Sequence, residues 1–581
     1  TRPELYNLAW KKSLPMIDRR SDCYGLSERL LYDGSVLRDL NDEEIRVLIS
    51  ELRAGEYDAI AVCFLFSFLN PSHEVKLKKR FEEDIPELPC SISSEVAPIW
   101  REYDRASSTI ADAFIKPVVS NYVRQLKSGL SELDVPATLM VMKSNGGMMS
   151  SSSCEAAPIQ SLMSGPAGGM IACQAIADAL DVKKVLTMDM GGTSCDVGII
   201  VNGEQKLTTQ YEIEFGLTVS IPMIDIRTIG AGGGSIAWID NGGFLQVGPL
   251  SAGADPGPAC YNLGGHVPTV TDANLVLNRL IPEFFLNGEM LLSKDLARKA
   301  VATVSGSDES SLEEIATSIT QISEDNMANA IRMISVVEGH DPREFSLMSF
   351  GGAGPLHATA IARKLSIPKV IIPVVPGNTS ALGFLLADLR IDKIRTFPMR
   401  SDSLDVGRIN QQFKGAEVSA AKELRADQYR GTIFWVNVIK MRYAGQNHEY
   451  DVPIPYGPLT DDVLHAAFDS FHQRHEALYG YQLPDAIIEI ISLSTTAVGR
   501  TDKPPMEYLC PEKTGSKAQE QSVYFPETGY IDTKIIERQS IDTGERISGP
   551  AVLVEHGSTT LLGPGDRMVV DRSGSLIIEV G

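Results

Sequence analysis

Two glycine-rich segments, each closing a short apolar run, constrain this chain most. The first is Asp189-Met190-Gly191-Gly192-Thr193-Ser194-Cys195-Asp196, which follows the run Lys184 to Met188. The second is Phe350-Gly351-Gly352-Ala353-Gly354-Pro355-Leu356-His357, which follows Phe345 to Phe350. Short, β-prone apolar runs read as buried strands. Glycines after a strand let backbone N–H groups come close to phosphate oxygens. In the first segment a carboxylate at a strand end, two glycines and a hydroxyl suit a phosphate-binding hairpin. Asp189 is placed to hold hydrated Mg²⁺ and Asp196 to act as a second, outer carboxylate. Gly191, Gly192 and Thr193 would receive phosphate. In the second, small residues ahead of a helix leave space for a flat base or a sugar, and the helix N-terminus favours anions. That assigns Gly351, Gly352, Ala353 and Gly354 to the side of such a base or sugar.

Around these loops the chain alternates. Tyr57 to Leu65 and Ala137 to Met142 read as buried strands, and Arg105 to Leu126 as a helix. Gly165-Pro166-Ala167-Gly168-Gly169 opens a helix to about Leu180, with glycines that permit close packing. Val197 to Val201 and Gln205 to Gln210 complete a meander through the turn Asn202-Gly203. Asp272 to Leu280 and Leu312 to Glu338 read as helices, and Lys369 to Val375 as a strand. Strands and helices joined by glycine turns indicate α/β architecture. After about Arg400 the composition shifts: Ile433 to Tyr443 and Ile487 to Val498 read as long strands, and Val523 to Val580 mixes β-branched residues with Gly, Pro and Asp. Three segments follow, 1–150, 151–400 and 401–581, the last a β-rich C-terminal domain. The two glycine loops, about 160 residues apart, fit the two halves of an actin-like ATPase.

At 581 residues the chain exceeds what one core usually serves. It carries 53 Lys plus Arg against 75 Asp plus Glu, a net charge of −22, and such a surface repels nucleic acid and anionic lipid. No apolar run of about eighteen residues suggests a membrane span. The start, Thr1-Arg2-Pro3-Glu4, shows neither Met nor a signal-peptide pattern, as in a fragment or processed product. Eight scattered cysteines form no CxxC and no zinc spacing, which reads as reduced thiols and a cytoplasmic protein.

Other motifs are weaker. GxxxxGK[ST] is absent. Gly230-Ala231-Gly232-Gly233-Gly234-Ser235 lacks a Rossmann fingerprint followed by a clear helix, which argues against NAD and leaves Gly232, Gly233 and Gly234 as an anion cradle. Ser251 to Tyr261 reads as a fixed loop against a cleft, with Asp255 a substrate-side candidate. Cys260 has no visible base to make it a nucleophile. His340, in Glu338-Gly339-His340-Asp341, is a second substrate-side candidate, though a helix C-cap explains Gly339 equally well. His472 and His475 lack a third metal ligand, and Arg101 to Arg105 reads as an ion-paired surface or domain seam.

Taken together, these motifs resemble the hydantoinase A / 5-oxoprolinase family. The resemblance runs through Ser144-Asn145-Gly146-Gly147, Ser164 to Gly169, Asp189 to Ser194, Thr228 to Ala237 and Ser251 to Tyr261. It continues through Thr271 to Asn274, Glu338 to Pro342, Phe350 to His357, Arg442-Tyr443 with Gly445-Gln446, and Gly549-Pro550-Ala551. It implies an actin-like fold and ATP-dependent opening of a cyclic amide such as hydantoin, N-methylhydantoin or 5-oxoproline. It also implies a hydantoinase B-like partner subunit in a hetero-oligomer. A related branch carboxylates acetone or acetophenone, and a small-molecule kinase or a nucleotide-gated scaffold are further alternatives. Two departures stand out. The family's first phosphate loop, of the form Asp-x-Gly-Gly-Thr-Phe-Thr-Asp, is absent, so the chain is expected to start some way into the family pattern. Arg227 stands where relatives often carry His, ahead of the glycine loop, and is a third substrate-side candidate.

Overall fold

The computed structural model describes residues 22–214, 216–305, 310–504 and 519–581. Cys510 and the start Thr1 to Glu4 lie outside the described residues. The chain forms two compact units. One comprises 1–164, 207–223 and 387–501, the other 165–206, 224–386 and 502–581. The segment 401–581 is shared, because strands near the C-terminus enter the same sheet as the glycine loops.

The first unit holds a six-stranded sheet ordered Tyr450–Ile454, Ile433–Tyr443, Ile488–Gly499, Leu389–Arg400, Met148–Ser150 and Met140–Met142. Helices Val406–Ala426 and Asp461–Tyr479 bury Ile409, Phe413, Leu464, Phe468 and Phe471 in one core with Ile439, Met441 and Ile490. A second, smaller core surrounds the parallel pair Ile60–Val62 and Cys90–Ile92. Helix Asp42–Ala54 shows why its sequence folds as it does. Asn41 caps it by accepting from Glu43 N–H, and Ile45, Leu48, Ile49 and Leu52 recur on one buried face. Tyr57 to Leu65 makes only this three-residue strand, shorter than its apolar run suggests. The long helix Glu102–Glu132 begins with charged residues, yet Arg105 is fully buried and donates to the carbonyls of Ile99 and Phe64. Arg105 is therefore a core clamp and not an ion-paired surface residue. Asn145, in the Ser144–Gly147 turn, donates to Asp392, which also accepts from Thr496 Oγ1 (2.5 Å) and Arg390 Nε (3.2 Å). His472 and His475 sit in an aromatic cluster, His472 Nδ1 against the Tyr443 hydroxyl (2.6 Å) and His475 Nδ1 against the Tyr481 carbonyl (2.9 Å). Among the described residues no group of three or more His, Cys, Asp or Glu could hold a metal ion.

The second unit is built on a nine-stranded sheet. Its strands are β1 (Lys184–Met190), β2 (Cys195–Val201), β3 (Glu204–Gln205), β4 (Ile226–Ile229), β5 (Ser346–Phe350), β6 (Lys369–Ile372), β7 (Arg546–Ser548), β8 (Arg567–Val570) and β9 (Leu576–Glu579). Their order is β4-β2-β1-β5-β6-β9-β8-β7, with β3 paired to β2. β1, β5 and β6 run parallel, and the others are antiparallel to their neighbours. Apolar helices cover both faces, as a largely buried sheet requires. On one face α1 (Ser164–Ala179) packs on Val185, Ile200, Met348, Phe350 and Ile371. On the other, α2 (Val270–Val276), α3 (Leu312–Ser335) and α4 (Gly354–Leu365) pack on Leu186, Met188, Val197, Ile199 and Leu347. α3 starts where a capping box puts it: Ser311 accepts from Glu314 N–H, and Glu314 accepts from Ser311 N–H. The glycines early in α1 permit close packing, as their sequence implies. A Cβ on Gly383 of helix α5 (Thr379–Leu386) would stand 1.7 Å from the Gly168 carbonyl oxygen. No helix among the described residues is long and apolar enough to cross a membrane.

Candidate active site

Parallel strands in an α/β sheet deliver their following loops to one end, and ligands bind there. β1, β5 and β6 do so here. Asp189 and Phe350 are register partners, so the loops after Met190 and after Phe350 leave the sheet side by side. Asp189 also stands directly opposite Asp196 in the β1–β2 pair, and Asp196 opposite Thr228 in β4. Directly opposed residues share a face, with Cβ atoms about 4.5–5.5 Å apart. The Thr228 hydroxyl donates to Asp196 Oδ1 (2.5 Å), and Ser380, in the first turn of α5, donates to Asp189 Oδ2 (3.3 Å). The four side chains form one cluster.

Two carboxylates held this close make an unusual electrostatic site. Burial, and then the neighbouring Asp196 charge, push the Asp189 carboxyl up to about 6, against the lowering effect of the Ser380 hydroxyl. Burial raises Asp196 too, while Thr228 lowers it. A cation would relieve both. With only two carboxylates, such an ion would take its remaining ligands from water or from phosphate oxygens, which suits Mg²⁺ better than a metal enclosed by protein ligands.

The turn beyond Asp189 has room for an anion. Neither Gly191 nor Gly192 has a left-handed backbone, and a Cβ on either would meet no protein atom within 4 Å. Packing does not explain these glycines, so the open space beside them fits a ligand. Gly192→Ala is accordingly expected to leave unfolding stability within about 0.5 kcal/mol of the wild type. The same change should weaken Mg-ATP binding at least about tenfold, and paired denaturation and calorimetric titrations measure both.

Gly351 does have a structural duty. Its φ is +80°, and a Cβ there would meet Asp189 Oδ1 and the Met190 carbonyl. Ala353 N–H donates to the Met190 carbonyl (2.9 Å), locking the two loops together, and Gly354 opens α4. The Gly232–Gly234 loop buttresses this arrangement. Its amides are spent inside the protein: Gly232 N–H on Ser235 Oγ (2.8 Å), Gly233 N–H on the Gly191 carbonyl (3.0 Å), Gly234 N–H on the Gly192 carbonyl (2.6 Å). The anion-cradle expectation for these three glycines is therefore corrected to a supporting role. They are glycines because the Gly192–Thr193 backbone, Thr271 and Ser251 lie against them. Behind this loop, Thr271 Oγ1 donates to the Gly233 carbonyl (2.8 Å). Asp272 accepts from the N–H groups of Ala259, Cys260 and Thr269 and from the Thr269 hydroxyl.

The substrate-side candidates divide differently. Arg227 pairs with Val197, one residue off the Asp196–Thr228 pair, so the pleat turns it to the opposite face. Thr228 is the residue that meets the aspartates. His340 lies edge-on to Phe345, just ahead of β5, at the amino end of the strand whose carboxyl end adjoins Asp189. That distance removes it from this site, and Gly339, at φ +82°, is the helix C-cap. Asp255 is exposed on the loop after Ser251, which is tied to the glycine buttress by Ala252 N–H to the Gly234 carbonyl (2.9 Å). Cys260 is buried, and burial and Asp272 raise its thiol far above the ordinary range, so it is inert. Thr228 and Ser380 were not among the sequence candidates. A hydroxyl one residue past Arg227 was the available signal for the first, and nothing local marks the second.

The hydantoinase/oxoprolinase family model matches residues 105–393, its N-terminal region model 1–85 and its C-terminal domain model 401–576. An uncharacterized protein of Methanocaldococcus jannaschii is 36% identical over all of this chain and 85% of its own length. Caprolactamase subunit alpha of Pseudomonas jessenii is 33% identical over 95% of this chain and 81% of its own. The crystal structure of the ATP-dependent caprolactamase from that organism superposes with a TM-score of 0.84 at 33% identity, covering 96% of this chain and 82% of that one. The 5-oxoprolinase of Saccharomyces cerevisiae is 30% identical over 99% of this chain, which spans about half of its length (47%). With relatives this similar along most of their own length, and three family models in order along its sequence, the chain belongs to the hydantoinase/oxoprolinase family.

Proposed function

We propose that this chain is the nucleotide-binding subunit of an ATP-dependent enzyme that opens a cyclic amide, on an actin-like ATPase fold and with a partner subunit of the hydantoinase B type. One observation carries the reading: Asp189 and Asp196 face each other beside a glycine turn that packing leaves open. Relatives named as an ATP-dependent caprolactamase and a 5-oxoprolinase support the substrate class, and the name "subunit alpha" supports a partner.

Amide resonance makes the carbonyl a poor electrophile and the ring nitrogen a poor leaving group. Bound Mg-ATP would supply a phosphoryl group to the amide oxygen and leave as ADP; water then adds to the activated carbon, the ring nitrogen departs as the amine, and a second water releases phosphate from the acyl phosphate. The residues of this chain supply position and charge. Asp189 and Asp196 would hold a hydrated cation, with Thr228 and Ser380 fixing their carboxylates. Gly191, Gly192 and Thr193 would receive phosphate oxygens in the open turn. Gly351, Gly352, Ala353 and Gly354 would take the adenosine side, and Gly232–Gly234 would hold the phosphate turn in shape.

The test is ADP formation by the chain co-expressed with its partner, with Mg-ATP and each of hydantoin, N-methylhydantoin, 5-oxoproline, caprolactam, and acetophenone with bicarbonate. ADP release that depends on a cyclic amide is expected. Release that depends on the ketone and bicarbonate would move the chain to the carboxylating branch and overturn the assignment.

A further inference from the structure

A fourth element reaches the loops at the carboxyl end of the second unit's sheet. Strands Ala551–Glu555 and Ser558–Leu562 form a hairpin whose turn spans Glu555 to Ser558. The Gly557 carbonyl oxygen lies 3.3 Å from the position of a Cβ on Gly352 and 3.1 Å from that of a Cβ on Gly377. Gly352 follows β5, and Gly377 follows β6. Neither glycine has a left-handed backbone, so the approach of this turn is what restricts a side chain at both positions.

The turn is firmly held. Glu555 is buried against Arg538 (2.8 Å), and Arg538 also donates to the carbonyls of Gly574 (2.9 Å) and of Ile372 (3.4 Å), the last residue of β6. Thr359 of α4 donates to the Leu561 carbonyl (3.3 Å). The hairpin is thus anchored to β6 and to α4, the helix that follows the Gly351–Gly354 loop. At its tip the His556 side chain is exposed, and close to it Ser558 is buried, its hydroxyl without a hydrogen-bond partner. A fixed turn with a free imidazole and an unpartnered buried hydroxyl, pressed on two glycine loops, has the chemistry to receive a flat heteroaromatic base and its sugar.

We infer that the Glu555–Ser558 turn is the nucleoside-side wall of the site, with His556 against the base and the Ser558 hydroxyl bonded to the nucleoside. This rests on the nucleotide reading above. It adds a base-recognition surface contributed by the C-terminal strands.

The full chain is titrated calorimetrically with Mg-ATP and with magnesium tripolyphosphate, which has the phosphates and no base. His556→Ala and Ser558→Ala are each expected to weaken ATP binding roughly tenfold, the scale of one stacked base. Both should leave tripolyphosphate affinity and the thermal midpoint unchanged, since His556 is exposed and the Ser558 hydroxyl bonds to nothing in the protein. Wild-type ATP affinity in both variants, or equal losses for the two ligands, would overturn the inference and leave the phosphate site standing. A wild type that binds tripolyphosphate as well as ATP would do the same. A wild type that binds neither would overturn the nucleotide reading and this wall with it.

Discussion

Replacing Asp189 with Asn is expected to abolish ATP turnover while making the protein more stable at neutral and alkaline pH. Asp189 is mostly buried, opposite a second carboxylate, and its carboxyl titrates near 6. The unfolded chain ionises the same group near 3.8. A raised folded value means the native state prefers the protonated acid. Its contribution to stability is fully present below about pH 4 and is lost as pH rises through about 6. Above that window the wild type carries a buried, poorly compensated charge. Asn removes it at nearly constant shape, so Asp189→Asn should be more stable by about 2 kcal/mol at pH 8 and no different near pH 4. Turnover should fall at least about 100-fold, the scale of losing one preorganised charge-stabilising group. Urea denaturation at pH 4, 6 and 8 beside an ADP assay measures both. A variant that is inactive because it misfolds would lose stability at every pH. Retained turnover would remove Asp189 from the site.

Asp272→Ala should behave in the opposite way and lose stability first. Asp272 has no exposed surface and accepts four hydrogen bonds, from Ala259, Cys260 and the backbone and hydroxyl of Thr269. Its removal leaves buried donors without partners and breaks the capping box of α2. The expected cost is about 3–5 kcal/mol at pH 7, read by urea unfolding. The damage should also reach the site. Thr271, the residue before it on α2, holds the Gly233 carbonyl, and Gly233 holds the Gly191 carbonyl in turn. Affinity for Mg-ATP should therefore drop even where the variant is still folded. A fully stable Asp272→Ala protein would show that these bonds are replaced by water at little cost.

The contrast between these two acids marks what the sequence makes legible. Asp189 could be picked out because its neighbours are local: an apolar strand before it and two glycines after it. The same logic located both glycine loops, the α/β class and the helix that starts near Gly165. It misled at Gly232–Gly234, because glycine signals close approach without saying what approaches. There the neighbour is the protein's own backbone. Arg227 and Thr228 differ by one residue, and only the register with β2 decides which of them faces Asp196. Ser380 reaches Asp189 across 191 residues of sequence, so no local pattern announces it. His340 lies close to the glycine loop in sequence, but a strand separates the two in space. The segment 401–581 reads as one β-rich stretch because strands occur in both parts of it, although helices Val406–Ala426 and Asp461–Tyr479 also lie there. Pairing of Leu576–Glu579 with Lys369–Ile372 is what assigns its end to the sheet that carries the glycine loops.

In the proposed reaction the amide oxygen takes the phosphoryl group, and an isotope can follow that oxygen. A cyclic amide accepted in the ADP assay is prepared with ¹⁸O in the scissile carbonyl and turned over with unlabelled ATP in unlabelled water. If the oxygen is phosphorylated, one water adds at the activated carbon and the ring nitrogen leaves, and a second water displaces phosphate at carbon from the resulting acyl phosphate, so both product carboxylate oxygens come from water and the ¹⁸O leaves in inorganic phosphate. If the label stays in the carboxylate and hydroxylamine traps no acyl phosphate while ATP is still consumed, hydrolysis bypasses phosphorylation of the amide and the proposed reaction is wrong.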